Sequence, residues 1–488
     1  MRKLLLSLVC IVCLAAQAAG DYDVRDFGAA GDGKTLDHGA INRAIDSCVA
    51  HGGGRVVLPA GTYLCGSIRM KSNVELHISA GATILAAPGS MKAYDESEPW
   101  EGPAYQDGGH TYFHNSLIWA VGQQNVSITG RGMIDGKGLT KKDTEKGGKL
   151  QGGSIGTGDK AIALKECRNV LIRDITIYRG GHFAIIMTGC DLGTVDNVTI
   201  DTNRDGFDID CCKYLTVSNC KINTPSDDAL VLKSSYALKR PVLCEHIAVT
   251  NCVITGYKMG TLLDGTYVPE KVNWVCGRFK LGTESNGGYR NIALSNCTFM
   301  YSSGLAFEEV DQGLMENVVV NNITMSHVHH YPIYITTGCR NRGPKERTTV
   351  STGADIQISN VIADDVDSLA GIIVTGMPDQ PLRNIALSNI RITYRGGGTA
   401  DLANREYREQ GTNYPEPRFA GPTPAYGLYA RHVDGLDINH VTFRTEKTDY
   451  RPAVMLDDVR NESITDLKAP EVKGVKKVVK KPGGNRRK

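Results

Sequence analysis

Beyond its first 20 residues, the 488-residue sequence has no apolar run approaching the roughly 20 residues that a membrane-spanning helix requires. The mature chain therefore reads as free of transmembrane segments. It also lacks metal-finger patterns: after residue 20 there is no C-x-x-C pair and no His/Cys cluster with zinc spacing. A basic surplus is missing too. The formal charge is +2, but Arg2, Lys3 and eight Lys or Arg within residues 473–488 hide a body with 45 basic against 53 acidic residues. A body of −8 gives no reason to expect nucleic acid as a partner.

What is present begins with an export signal. Arg2 and Lys3 precede an apolar run over residues 4–16, followed by the small-residue site Ala16-Gln17-Ala18 and an abrupt polar turn at Asp21. Residues 1–20 are expected to be removed and the protein exported to the periplasm or beyond. Twelve cysteines remain, of which Cys211 and Cys212 are adjacent and Cys220, Cys252 and Cys297 share one repeated position. That column reads as stacked buried thiols rather than a disulfide framework. The basic segment 471–488 reads as a disordered tail.

Between them a unit recurs: a polar or Asn start, an alternating apolar run, often an Asn at its end, then a second strand. Examples are NVSITG at 125, NVLIRD at 169, DNVTID at 196, YLTVSN at 214, HIAVTN at 246, NIALSN at 291 and 384, and DIQISN at 355. Uninterrupted spacings of 23 (Asp174 to Asn197) and 22 (Asn197 to Asn219) are one turn of a β-solenoid. Alternation puts every second apolar residue inward, stacked about 4.8 Å from the next turn. Asn219, Asn251, Asn296, Asn322, Asn360 and Asn389 would form an amide ladder inside one bend. Residues 21–87 form an N-terminal module in which Ala40, Ile41, Ala44, Ile45 and Cys48 mark a short amphipathic helix suited to cap the open core. The catalytic domain is expected over 21–470. Insertions at 88–115, 137–160, 264–290, 338–353 and 396–426 would wall a groove, the first and last carrying aromatic residues suited to sugar stacking.

Residues 203–235 hold the chemistry. Asp205, Asp208 and Asp210 are followed one turn later by Asp227-Asp228, so the two clusters stack. Parity with the core residues Phe207 and Ile209 puts Asp208 and Asp210 on the outer face, while Asp205 escapes the core only if Gly206 breaks the strand. Carboxylates crowded this way share protons and divide into donor and acceptor; calcium ligation and plain turn acids are the alternatives. Downstream, Arg278 and Lys280 lie two apart on one strand face, a pair suited to hold the carboxylate of an acidic sugar.

N-R-D-G-F-D at 203–208, D-D at 227–228 and R-F-K at 278–280 resemble the N-T-D, D-D and R-I-K motifs of polygalacturonases, glycoside hydrolase family 28. DFGAAGDG and GGGRVVLPAGTY are similar to the start of the same group of pectin-degrading proteins. The resemblance implies a right-handed parallel β-helix and inverting hydrolysis of an α-linked galacturonic acid polymer. It implies Asp227 as general acid, Asp205 and Asp228 as the acids that activate water, and Asn203, Arg278 and Lys280 as substrate-binding residues. Two departures stand out: Arg204 replaces the Thr of N-T-D, and the place of the family's G-H-G motif reads Lys258-Met259-Gly260. The missing His points away from simple endo-polygalacturonase activity toward rhamnogalacturonan-acting or exo-acting members, with Tyr257 or Lys258 taking over part of its place. Neighbouring turns would set Asp205 and Asp227 about 5 Å apart, a spacing that by the usual rule gives retention rather than inversion.

The expectation is thus a secreted, monomeric pectic hydrolase using no metal or cofactor. A calcium-dependent pectate-lyase-like enzyme built on Asp208 and Asp210, and a non-catalytic carbohydrate-binding solenoid, are the alternatives.

Overall fold

The computed structural model describes residues 20–482 except 104, 141–144, 147–148, 151–155, 272–274 and 369. All but the last residue of the expected signal, and residues 483–488 of the tail, lie outside the described residues. The chain winds into a right-handed parallel β-helix, the hand of parallel crossovers, with 33 strands among the described residues in one continuous sheet. Between Lys160 and Thr255 each strand pairs with the third one after it, Arg168–Arg173 with Asp191–Asp196, Thr176–Tyr178 with Thr199–Asp201, Phe183–Thr188 with Asp205–Asp210, and from Gly288 two of the sides run on as one long strand. Three strands per turn give a three-sided coil.

Alternation builds its interior as expected. Ile185, Phe207, Leu230, Phe279, Leu305 and Ile333 stand in register on successive turns, all essentially inaccessible to water. Burial of such side chains contributes roughly 1.5–3 kcal/mol each. Helix α1 (His38–Ala50) buries Ala40, Ile41, Ala44, Ile45 and Cys48 and packs against the first strands. The twelve cysteines are free, and all but Cys339 are buried.

Three expectations change. The asparagines of the ladder lie outside the coil, exposed, each with φ between 51° and 59°. Asn tolerates that left-handed backbone, and the amides bond along the stack, Asn322 Nδ2 to Asn296 Oδ1 at 3.1 Å and Asn251 Nδ2 to Asn219 Oδ1 at 3.4 Å. A second left-handed column passes through Asn125, Asn169, Asn291 and Asn384. DNVTID at 196 is offset from its companions, because Val170 stacks on Gly193 and not on Val198. The basic tail is not wholly disordered: Val478–Lys481 pairs in parallel with Val454–Asp457. Val478 prolongs the core and Glu462 answers Lys480 at 2.6 Å.

The excursion expected at 264–290 is really 256–278, since Phe279–Ser285 is a strand of the coil. Tyr94, Tyr112, Phe113, Tyr407 and Tyr426 are buried within loop packing, whereas Tyr414 and Phe419 keep 42% and 53% of their surface.

Candidate active site

One side of the coil carries the acids. Its strands are β1 (Phe183–Thr188), β2 (Asp205–Asp210), β3 (Leu230–Ser234), β4 (Phe279–Ser285), β5 (Leu305–Glu309) and β6 (Ile333–Thr337). The bends entering β2, β3 and β4 stack: Cys276 and Gly277 N–H donate to the carbonyls of Pro225 and Asp227 at 2.9 Å, and Gly206 N–H to that of Asp228 at 3.0 Å. Gly206 breaks the alternation as anticipated. A Cβ there would lie 2.5 Å from the Ala229 carbonyl oxygen and 2.6 Å from Ile222 Cγ2, so only Gly lets Asp205 leave the core face.

The three acids have different surroundings. Asp205 is buried, with Oδ1 lacking a hydrogen-bond partner and Oδ2 3.8 Å from Arg204 Nη2. Burial, with Asp227 close by, pushes its carboxyl well above the ordinary range. Asp227 reaches the surface with 25% of its side chain, pairs with Arg204 Nη1 at 2.8 Å and accepts the Asp228 N–H at 3.1 Å. Asp228 is buried, and burial alone would raise its carboxyl. Arg278 Nε at 2.5 Å and Lys280 Nζ at 3.4 Å outweigh that and hold it well below the usual range. One carboxyl pushed up by burial thus adjoins one held down by two cations, which is the division of labour acid–base catalysis needs.

Arg278 and Lys280 are not the open cation pair expected. Arg278 Nη2 donates to Glu416 Oε1 at 2.6 Å, Nη1 reaches Tyr331 Oη and Glu416 Oε2, and Lys280 Nζ lies 3.4 Å from Glu308 Oε2. Burial pushes Glu308 up to about 7 against the pull of Lys280. Asn203 sits at the rim, its Oδ1 accepting from Ser226 Oγ at 2.9 Å. Tyr257 and Lys258 stand on the loop beyond. The Tyr257 ring packs against Tyr267 and Tyr301, its N–H donates to Asn223 Oδ1 at 2.7 Å, and Lys258 is exposed. Among the described contacts neither residue hydrogen-bonds or pairs with the three acids.

Asp208 and Asp210 face outward from the coil but are sealed beneath residues 107–110. His110 lies 3.0 Å from Asp210 and 3.6 Å from Asp208, and Lys233 lies 3.3 Å from Asp208. Burial would lower the His110 imidazole, yet the adjoining Asp208 raises it. Two basic groups occupy the space a calcium ion would need, together with its six to eight oxygens, so the reading of these acids as a calcium site is corrected. Asp227, Asp228 and Cys276 place three potential ligand atoms within 4.8 Å of one another. There, however, both Asp228 oxygens already lie against Arg278 and Lys280.

Sequence reasoning missed Glu416, Glu308, Tyr331, Lys233 and His110. Glu416 is 138 residues from Arg278 and no spacing rule connects them. The acids of LAFEE, in a strand that is otherwise apolar, were a readable signal for Glu308.

This is a parallel β-helix protein with a cluster of carboxylates on one face. A family profile described as "Rhamnogalacturonase A/epimerase, pectate lyase-like" matches residues 22–233. A probable polygalacturonase of Vitis vinifera is 23% identical over 388 residues, 75% of this chain and 73% of that protein. The structure of a Yersinia enterocolitica family 28 exopolygalacturonase superposes with TM-score 0.66 at 18% identity, covering 93% of this chain and 79% of the other. A hyperthermoactive exopolygalacturonase from Thermotoga maritima gives 0.62 at 22% identity, covering 77% and 87%. The chain thus shares the parallel β-helix fold of these exopolygalacturonases.

Proposed function

We propose that this protein is a glycoside hydrolase that cleaves α-linked, galacturonic-acid-containing pectic polysaccharide with Asp205, Asp227 and Asp228. The observation that carries the reading is the cluster itself: a buried Asp205 with an unpartnered Oδ1, an Asp228 ion-paired to Arg278 and Lys280, and an Asp227 that reaches the surface. Asp227 is the member a glycosidic oxygen can approach and serves as general acid. Its charge is matched at rest by Arg204, and the proton it delivers comes from the Asp205–Asp227 pair once substrate draws Arg204 away. Asp228, fixed by Arg278 and Lys280, is the base that activates water. Asn203, Lys258 and Arg204 border the entrance and contact substrate there, with Tyr257 bracing the wall behind Lys258.

His110, Cys276 and Glu416, each from a different excursion of the coil, reach the acids or their cations, and such walls suit attack from a chain end. The enzyme acts as a monomer outside the cytoplasm, consistent with the apolar run 4–16 and with the absence, among the described residues, of any helix long and apolar enough to cross a membrane.

Incubation of the pure protein with defined pectic oligosaccharides, with products sized over time, tests the reading. New reducing ends are expected, unaffected by chelator. An unsaturated, ultraviolet-absorbing product would replace hydrolysis by elimination, and no cleavage at all would sink the enzyme reading. NMR of the first-formed anomer is expected to show inversion.

A further inference from the structure

Arg278 has its hydrogen-bonding capacity almost filled from within the protein. Its Nε donates to Asp228, both terminal nitrogens reach Glu416, and one of them also meets Tyr331. Lys280 lies between Asp228 and Glu308. Two buried cations therefore face three carboxyl groups, all five residues at most 6% exposed. Glu416 is no stray surface acid swept in by chance. Its N–H donates to the Tyr414 carbonyl at 2.9 Å, and its own carbonyl accepts from Phe419 N–H at 3.0 Å, so the turn that presents it is internally fixed.

A uronate carboxylate arriving beside Arg278 would bring a further negative charge into a buried cluster whose positive charges are already matched. Burying charge without a partner is strongly unfavourable. A sugar hydroxyl meets no such barrier. Glu308 Oε1 is buried without a hydrogen-bond partner, and the Tyr414 hydroxyl lies 3.1 Å from Thr283 Oγ1, which in turn lies 3.1 Å from Glu308 Oε2. Of these groups Tyr414 keeps 42% of its surface and offers a hydroxyl to an arriving sugar, while the cations are already engaged.

We propose that Glu416, by neutralising Arg278, sets the subsite beside Arg278 and Lys280 for an uncharged sugar unit. The preferred substrate is then a pectic chain in which galacturonate alternates with a neutral sugar at the cleaved bond, as in rhamnogalacturonan, and not an all-uronate chain. This rests on the pectic-hydrolase reading and adds a specificity residue to it. Glu416 acts through Arg278 and is a positioning residue.

The test measures kcat and KM for wild type, Glu416→Gln and Glu416→Ala on oligogalacturonate and on a rhamnogalacturonan oligosaccharide of equal length. Wild type is expected to favour the alternating chain. Glu416→Gln keeps the shape but frees one positive charge, and should lower KM for oligogalacturonate by about 10-fold while kcat moves less, the size of a gained charge-assisted contact. Calorimetric titration of both oligosaccharides into the Asp227→Asn protein reads the same preference without turnover, and decides the matter if the Glu416 variants fail to fold. Oligogalacturonate bound as tightly as the alternating chain, or cleaved as well with Glu416→Gln silent, overturns the inference and leaves the hydrolase reading standing. Cleavage of neither chain takes both down.

Discussion

Two bends of the same coil use small polar residues to opposite ends. At the first, Asn219, Asn251, Asn296, Asn322, Asn360 and Asn389 repeat turn after turn, exposed, each answering one backbone demand: a left-handed residue that an L side chain must tolerate. At the second, Asn203-Arg204-Asp205, Pro225 to Asp228 and Cys276-Gly277 share a position but not a composition, and Asp205, Asp228 and Cys276 are withdrawn from water. Repetition marks what every turn of a solenoid needs. Departure from the repeat, coupled with burial, marks what only one turn does.

That contrast can be broken from either side. At the second bend, Asp227→Asn should lower kcat on a pectic oligosaccharide by about 10²–10⁴-fold, the usual worth of a general acid, with the melting temperature nearly unchanged because the side chain reaches solvent. A variant of full activity would strip the bend of its chemistry. Gly206→Ala should cost about 3 kcal/mol by denaturant titration, since its Cβ meets backbone at 2.5 Å.

Glu308 sharpens the contrast through pH. Its folded-state carboxyl titrates at about 7 against 4.5 for the free side chain, so the folded state holds a proton that the unfolded state releases. Stability is therefore lost as pH rises from about 4.5 to 7, and Glu308→Gln should restore about 3 kcal/mol at pH 8 and little at pH 4. Urea midpoints at the two pH values check this; a parallel shift at both would show that ionisation is not the cause.

The smallest effect belongs to the first bend. Asn296→Ala, at φ 54°, should cost about 1 kcal/mol and leave kcat untouched, while Asn296→Gly should be close to neutral. Loss of activity from Asn296→Ala would erase the distinction between the two bends.

Local pattern was enough for the coil. Period-2 alternation and a 22–23 residue recurrence determine which side chains face inward and which acids lie on neighbouring turns, because in a solenoid the spatial neighbour is one period away along the chain. Gly206, α1 and the stacking of Asp205 on Asp227 and Asp228 were legible on that basis, whereas Arg278 and Lys280 lay in a stretch read as an insertion and were marked by their i, i+2 spacing and the R-F-K motif. Only the tertiary structure decided what covers them. Glu416 closing on Arg278, His110 and Lys233 sealing Asp208 and Asp210, and the asparagines turning outward depend on excursions that return across several turns or on the sign of φ. Neither leaves a period in the sequence. Charge at this site is set by those returning loops, since the free energy of a buried carboxylate depends on which cation reaches it and not on its place in the repeat.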